Sequence, residues 1–257
     1  MRKKLKILIT NDDGIDSPGL KELVKVLKGL ADIFVIAPDR QQSAISHAMT
    51  IALPLVPHKL NINGDTMAYA VNGTPVDCVK LGVSALMEEK PDLICSGINI
   101  GPNTSISVKY SGTFAAAIEG NIQGIPSIAF SLNSFSYVQD FKSAANYAYK
   151  IVNMLVSDDI PKNLLLNVNI PSLNEIEIKG IKITHLSNSK WIDAYSKRTD
   201  PFGRDYYWFD GKYVNLDNDS ESDDNAIKNG FISITPIEIH YNHSKNLSFL
   251  EKVLTTK

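Results

Sequence analysis

The chain has 257 residues, of which 44 % are hydrophobic, and 26 basic against 28 acidic side chains give it a formal net charge of −2. This composition supports a large hydrophobic core and excludes a disordered chain, and the balanced charge argues against a protein that coats nucleic acid. The basic N-terminus leads into a short strand pattern with no long apolar stretch, so we expect no targeting segment and no membrane span. Cys78 and Cys95 lie in apolar patterns and are expected to pack in the core, which favours a cytoplasmic protein.

Strand and helix patterns alternate over the first 185 residues. The β-branched run at residues 6–10 predicts a buried strand, and Pro18, followed by apolar residues at helical spacing, predicts a helix. This alternation predicts an α/β fold with a Rossmann-like, mostly parallel sheet and helices on both of its faces. Further strands are predicted at residues 32–38, 66–71, 92–97, 127–132 and 164–170, and further helices from residues 73–75 onward and at residues 113–123 and 141–155.

The composition changes after residue 185, where the chain becomes polar and aromatic. Asp210-Gly211 stands between two aromatic, strand-like runs and predicts the turn of a β-hairpin. Residues 217–229 are acidic and are expected to form a loop. Residues 231–239 are expected to form a strand, and the tail from Ser244 a short helix.

The predicted hairpin forms an arm on an α/β core at residues 1–185, and residues 186–257 comprise this arm and a C-terminal oligomerisation segment of the same domain. An isolated two-stranded hairpin is marginal in water, and four aromatic residues on it would form a large exposed apolar patch. The arm is therefore expected to pack against a second subunit, with a twofold dimer as the commonest arrangement. The four residues are Tyr206, Tyr207, Trp208 and Phe209, whereas His240 and His243 are expected to be surface residues.

Polar side chains follow several of the predicted strands, where ligands collect in open parallel sheets. Asn11, Asp12 and Asp13 come directly after the first strand. Ser43 follows the second strand and Asn99 the fourth. Adjacent carboxylates repel each other, and a bound cation would relieve that repulsion. Two carboxylates with a hydroxyl and an amide oxygen suit Mg²⁺ or Mn²⁺ and do not suit zinc.

Ser111, Gly112 and Thr113 open a predicted helix and form a candidate phosphate site, because free backbone N–H groups and the positive helix end can face an anion. A cation beside a phosphate site predicts phosphoryl hydrolysis. The metal would polarise a phosphoryl oxygen, and an adjacent carboxylate would accept the proton of the attacking water. Taken singly, Asp-Asp-Gly is also an ordinary turn and Ser111 an ordinary N-cap, so the residues alone leave this alternative open.

A series of segments runs in order through nearly the whole chain: NDDGIDSPG, APDRQQSAISHAMT, VNGTPVDCV, PDLICSGINIGPN, YSGTFAAAIEG, LLNVNIP, GRDYYW and GFISITPIEI. This series resembles the SurE family of survival-protein-E nucleotidases. The resemblance implies metal-dependent removal of phosphate from nucleoside monophosphates at the 5′ or the 3′ position, and in some members action on short polyphosphate. It also implies assembly as a homodimer or homotetramer through C-terminal segments.

The same resemblance assigns roles to individual residues. Ala44 stands where the family commonly has a glycine, and Lys109 ends a Thr-Ser-Ile-Ser-Val-Lys stretch where the family usually has a glycine and an acidic residue. Neither departure removes a ligand. The implied metal ligands are Asp12, Asp13, Ser43 and Asn99, with Asp12 and Asp13 also catalytic, and the residues assigned to the substrate are Asn11, Asn103, Ser111, Gly112 and Thr113.

Two alternatives from other classes are considered beside a nucleotidase. A regulator that binds nucleotides without turning them over could use the same site, although a pure binder has no need for a metal that activates water. A phosphatase that forms an aspartyl-phosphate would need an Asp-x-Asp arrangement, which the adjacent Asp12 and Asp13 lack. Release of phosphate from a nucleoside monophosphate distinguishes a nucleotidase from the regulator. Trapping of a covalent phosphoenzyme distinguishes the aspartyl-phosphate phosphatase from both.

Overall fold

The computed structural model describes residues 4–136 and 139–239 and contains a nine-stranded sheet. The strand order is β3-β4-β2-β1-β5-β6-β7-β13-β8, and two further pairs of strands lie outside this sheet. The strands are β1 (Leu5–Thr10), β2 (Ala31–Pro38), β3 (Pro57–Ile62), β4 (Thr66–Val71), β5 (Leu93–Ile100), β6 (Ser127–Asn133), β7 (Leu165–Pro171), β8 (Ile181–Ile183), β9 (Ser189–Ile192), β10 (Tyr195–Thr199), β11 (Asp205–Phe209), β12 (Lys212–Asn215) and β13 (Ile232–Pro236).

Helices cover both faces of the sheet, as the sequence predicts. Successive side chains of a strand point to opposite faces, so Ile7 and Ile9 of β1 join the core under one pair of helices and Leu8 joins the core under the other. The first pair is α1 (Pro18–Leu27) and α4 (Lys142–Val156), and the second is α2 (Pro75–Leu81) and α3 (Gly112–Ile122). Shorter helical segments are a π-helical turn at Gly82–Leu86, 3₁₀ turns at Ser105–Lys109 and Glu175–Glu177, and α5 (Asp223–Lys228).

The six strands in the order β4-β2-β1-β5-β6-β7 are parallel, which confirms the predicted fold class. The chain fills the sheet from β1 toward β4 and then restarts on the other side with β5. The switch point therefore lies between β1 and β5, where open α/β sheets place their ligands. Antiparallel strands close both ends, with β3 on β4 and β13 on β7, and β8 lies parallel to β13 at the edge.

The arm, residues 189–215, is a hairpin, but its turn is not where the sequence predicts it. Strand β9 pairs with β12 and β10 pairs with β11, both antiparallel, so β11 and β12 are not partners. Asp210-Gly211 lies opposite Asp193-Ala194 in the middle of this long hairpin, and the Asp210 N–H donates to Ala194 O at 2.8 Å. The prediction of a turn at Asp210-Gly211 is therefore wrong.

The turn of the arm is built around Asp200. Its carboxylate accepts hydrogen bonds from the backbone N–H groups of Phe202 and Arg204, both at 2.9 Å. The Asp200 N–H in turn donates to Arg204 O at 2.9 Å and closes the loop between β10 and β11. An aspartate that binds its own loop in this way fixes the register of the hairpin more strongly than the Asp-Gly dipeptide further along.

The acidic segment at residues 217–229 is not entirely a loop, because it contains α5. Strand β13 confirms the return to the sheet and ends at Pro236. His240, His243 and the tail from Ser244 lie outside the described residues, and the division of the chain at residues 185 and 186 stays a prediction. Among the residues described, no helix is long and apolar enough to cross a membrane.

Candidate active site

A cavity of about 450 Å³ opens at the carboxyl edge of the sheet, at the switch point between β1 and β5. Five of the residues assigned from the sequence to metal or substrate lie in its wall: Asp12, Ser43, Asn99, Asn103 and Ser111. The loop from Gly101 to Ser111, which we call the site loop, forms one side, and the base of the arm forms another. The lining residues are Asp12, Ser43, Ala44, Asn99, Ile100, Gly101, Pro102, Asn103, Ser107, Tyr110, Ser111, Phe135, Trp191, Asp193 and Phe209.

Asp12 is the most buried carboxylate at this edge, with 5 % of its surface exposed. Burial raises the pKa of Asp12 to about 6, the neighbouring charge of Asp13 adds to this, and hydrogen bonds from Thr113 oppose it. The Thr113 hydroxyl donates to Asp12 Oδ1, and the Thr113 backbone N–H binds the same carboxylate. The N-terminus of α3 therefore holds Asp12 directly, and the predicted metal group and the predicted phosphate loop are in contact.

Asp13 lies beside Asp12 and is half-buried. Its Oδ2 accepts the backbone N–H of Ile100 at 3.2 Å, and Gln41 Nε2 reaches Oδ1 at 3.4 Å. Burial raises the pKa of Asp13 as well, against the effect of these two hydrogen bonds. Gln41 Nε2 also donates to Ser43 Oγ at 2.8 Å, so the glutamine links the loop after β2 to the carboxylate after β1.

Asn99 completes the set of oxygen donors. Its Nδ2 donates to Gly101 O at 2.7 Å, which turns the amide so that Oδ1 is the end available to a ligand. Among the residues described, no three His, Cys, Asp or Glu side chains group to form a metal site. Two crowded carboxylates with raised pKa values, a hydroxyl and an amide oxygen fit Mg²⁺ or Mn²⁺, which keep several waters.

Ser111 and Gly112 have local structural roles in addition to their predicted role. Ser111 is the N-cap of α3, and its Oγ accepts the Phe114 N–H at 3.0 Å. A Cβ on Gly112 would lie 2.8 Å from Asp12 Cβ, so this position has no room for a side chain. The sequence assigns the glycine to a phosphate site, and the structure adds that Asp12 occupies the space a side chain would need. Ser111 lines the cavity, whereas Gly112 and Thr113 stand behind Asp12.

The two predicted asparagines have different surroundings. Asn11 is fully buried and does not line the cavity, and its Nδ2 donates to Gly14 O at 2.9 Å and holds the turn that carries the two aspartates. Asn103 lines the cavity and belongs to a buried network: its backbone N–H donates to Asn169 Oδ1 at 2.7 Å and its Nδ2 to Ser131 Oγ at 2.9 Å. This network fixes the start of the site loop against β6 and β7.

Aromatic residues form the part of the cavity wall that the sequence does not predict. Trp191 and Phe209 come from the arm, and Tyr110 and Phe135 from the core. Trp191 lies 6.1 Å from Phe209 between ring centroids. The concentration of aromatic residues in the arm is visible in the sequence. That these residues reach the cavity of their own chain depends on how β9 to β12 pair, which no local sequence pattern shows.

Ala44 adopts a backbone conformation that favours glycine, with φ of +54°. It lies in the cavity wall, in the loop that carries Ser43. A non-glycine residue in this region is strained. The departure at residue 44 noted in the sequence therefore changes the loop beside a predicted metal ligand without removing the ligand.

Comparison with known proteins places this site in a family. The model of the family described as survival protein SurE matches residues 7–193. Proteins called 5′-nucleotidase SurE from Flavobacterium johnsoniae and Christiangramia forsetii are 46 % and 44 % identical over 237 and 239 residues, which cover 92 % of this chain and 92 % of each relative. The crystal structure of the SurE protein from Aquifex aeolicus has a TM-score of 0.83 and 38 % identity, and the match covers 96 % of this chain and 99 % of that one. With one family model across most of its length and relatives this similar, the chain belongs to the SurE family.

Proposed function

We propose that this protein is a divalent-metal-dependent 5′-nucleotidase that hydrolyses nucleoside monophosphates to a nucleoside and phosphate. The observation that carries the proposal is the contact of Asp12 with the N-terminus of α3, which joins a pair of crowded carboxylates to a helix end suited to an anion. The relatives of known name support the same activity, since they are called 5′-nucleotidases.

Asp12, Asp13, Ser43 and Asn99 would hold the cation. When bound there, the cation supplies charge for the phosphoryl oxygens and lowers the pKa of a bound water. Thr113 occupies Asp12 Oδ1 and fixes the carboxylate in place, so we assign Oδ2 to the cation or to a proton from the attacking water. Ser111 and Asn103, in the cavity wall, would bind the phosphate, and the aromatic wall would exclude water from the nucleoside.

The decisive experiment measures phosphate release from AMP, GMP, 3′-AMP and short polyphosphate, each with Mg²⁺, Mn²⁺ or EDTA. We expect release from the 5′-monophosphates with either metal and none in EDTA. Asn99→Ala should lose most of this activity and bind the metal more weakly. The matched control is Asn133→Ala at the end of the neighbouring strand β6, outside the cavity lining, which should remain active.

Three results would contradict the proposal. Tight nucleotide binding without phosphate release in any metal would favour the regulator that binds without turnover. Undiminished release in EDTA would exclude a metal-dependent mechanism. Trapping of a covalent phosphoenzyme would instead favour the aspartyl-phosphate alternative. The measurements with 3′-AMP and with polyphosphate decide whether the activity extends beyond 5′-monophosphates.

We further propose that the protein acts in the cytoplasm as a homodimer or homotetramer. The exposed aromatic residues on the arm support this assembly, because large exposed apolar patches are typical of surfaces that bind another protein. The two buried, unpaired cysteines are consistent with a reducing compartment.

A further inference from the structure

Two carboxylates on α5 bind the site loop and the base of the arm at once. Asp223 is fully buried, and Asp224 is half-buried beside it. Neither residue lines the cavity, and the phosphate chemistry proposed above does not use them. Buried carboxylates are costly unless several donors surround them, so an arrangement of this kind requires a reason.

Asp223 connects the site loop to the segment that enters the arm. Its Oδ2 accepts the backbone N–H of Ser105 and its Oδ1 that of Ser187, both at 2.9 Å. Ser105 is held in a left-handed conformation with φ of +48°, and its hydroxyl donates to Ser187 O at 2.6 Å. The Ser189 N–H returns a hydrogen bond to Ser105 Oγ at 3.0 Å. Asp223 therefore fixes the point where the site loop and the arm touch.

Asp224 extends this connection into the arm. Its Oδ2 accepts hydroxyl groups from Ser187 at 2.6 Å, from Tyr213 at 2.7 Å, and from Ser189. Three hydroxyl donors on one carboxylate oxygen form charge-assisted hydrogen bonds that are stronger and more directional than neutral ones. They determine where β9 and β12 lie relative to the core.

Tyr213 connects Asp224 to the wall of the cavity. Its ring meets the indole of Trp191 edge to face, with centroids 5.4 Å apart. Trp191 lines the cavity and also contacts Phe209, whose ring lines it too. A continuous path of contacts thus runs from Asp224 through Tyr213 to Trp191, while Asp12 is held separately by α3.

We propose that Asp224 and Tyr213 are positioning residues that orient Trp191 to bind the base of the nucleotide. This inference rests on the proposed nucleotidase function and names the part of the site that recognises the nucleoside. An aromatic face beside a phosphate site suits any base, because every base can stack on it. Tyr213 also lies 3.4 Å from the Thr104 hydroxyl of the site loop, but Asn103 is bound to Asn169 and Ser131 of the sheet. Asp12 and Ser111 are held by the start of α3. Loosening this path should therefore affect the base and leave the phosphate end in place.

The test compares AMP with ribose 5-phosphate, which carries the same phosphate and sugar but no base. Tyr213→Phe keeps the ring and removes the hydroxyl that binds Asp224. We expect kcat/KM for AMP to fall roughly tenfold, mainly through KM, because stacking energies of this size correspond to about one factor of ten. For ribose 5-phosphate we expect a change of less than about twofold. Tyr207→Phe, the same substitution at an exposed position of the arm, is the matched control.

Asp224→Asn should reproduce the selective loss, with the exposed arm carboxylate in Asp205→Asn as its control. If the Tyr213 variant fails to fold, Trp191→Leu tests the same wall directly and should raise KM for AMP but not for ribose 5-phosphate. Equal losses on both substrates would overturn the positioning role and leave the nucleotidase intact. A parent protein that releases phosphate from neither substrate would overturn the proposed function and this inference with it.

Discussion

At the scale of single residues, Asp12 and Asp13 show opposite demands of stability and function. Both carboxylates have raised pKa values because burial disfavours their charged forms, and Asp13 raises the pKa of Asp12 further. Groups perturbed in this way are typical of functional sites. Without a cation the pair must destabilise the fold at a pH at which both are ionised.

Asp13→Asn should therefore have opposite effects on stability and activity. In EDTA at pH 8, the free energy of unfolding should rise by about 1 kcal/mol because one of two repelling charges is removed. Turnover of AMP should nearly disappear, and added Mg²⁺ should stabilise the variant less than the parent. Urea titrations with and without Mg²⁺ measure both. The control is Asp16→Asn, at an exposed aspartate paired with Lys21. Near-normal turnover of the Asp13 variant at limiting Mg²⁺ would show that this residue does not bind the metal.

The residues at strand ends could be predicted from the sequence, and those brought in by the arm could not. Asp12, Asp13 and Asn99 follow or end strands whose apolar runs are plain, and parallel strands place such residues at one edge. Trp191 and Tyr213 reach the site only because Asp200 forms the turn of the arm and not Asp210-Gly211. The register of a hairpin depends on which of several possible turns forms. The Asp210-Gly211 dipeptide alone carries no information about the competing turn at Asp200.

At the scale of elements, α3 joins the loop after β2 to helix α2 through Glu119. This residue is buried and binds His47 at 3.1 Å, Lys80 at 3.2 Å and Gln123 at 2.9 Å. Burial acts to raise the pKa of Glu119, but the hydrogen bonds from these three side chains outweigh it, and the pKa lies below its usual value of 4.5. The helix that holds Asp12 is thus anchored by an ionised carboxylate.

Glu119→Gln should destabilise the protein most near neutral pH. A folded-state pKa below the unfolded value means that the ionised form stabilises the fold above about pH 4.5 and that this contribution is lost as the pH falls through the lower, folded value. We expect a loss of about 1–2 kcal/mol at pH 7 that shrinks toward pH 3. Urea unfolding across this range measures it, and Glu22→Gln on α1 serves as control. A loss that does not vary with pH would contradict the assigned role of the charge.

The sequence predicts some helices and strands more accurately than others. Predicted and observed bounds of α4 and β7 differ by one residue at each end, because a long run of regularly spaced apolar residues defines an element well. The sequence does not predict strand β3, because this strand lies at the edge of the sheet and its consecutive residues His58 and Lys59 are both exposed. The short acidic sequence of α5 predicts a loop, because the tertiary contacts that bury Asp223 and half-bury Asp224 are not visible in the composition.

At the scale of the whole molecule, the two faces of the arm have separate roles. Alternation along β11 places Phe209 on the face toward the cavity and Tyr206 and Trp208 on the opposite face. Trp208 is 61 % exposed. The outward face is therefore the surface we assign to a second copy of the chain.

Replacing Tyr206 and Trp208 together by serine should convert the assembly largely to monomers while the α/β core stays folded. Sedimentation velocity measures the mass, and circular dichroism the fold. The variant keeps Phe209 and Tyr213, whereas deletion of residues 200–215 would also remove Phe209 from the cavity wall and should leave a weakly active monomer. If the parent protein sediments as a monomer at micromolar concentration, the proposed assembly is wrong.

The contact between Asp223 and Ser105 has a consequence for how the molecule forms. It joins residues 118 positions apart, so closing it costs chain entropy and depends on parts of the chain made late in synthesis. A growing chain can pair its six parallel strands before α5 leaves the ribosome, because the last of them ends at residue 171. The cavity is therefore completed after the six parallel strands. A chain cut short before residue 223 would keep these strands and both aspartates but would lose α5, β13 and the contact that fixes the base of the arm.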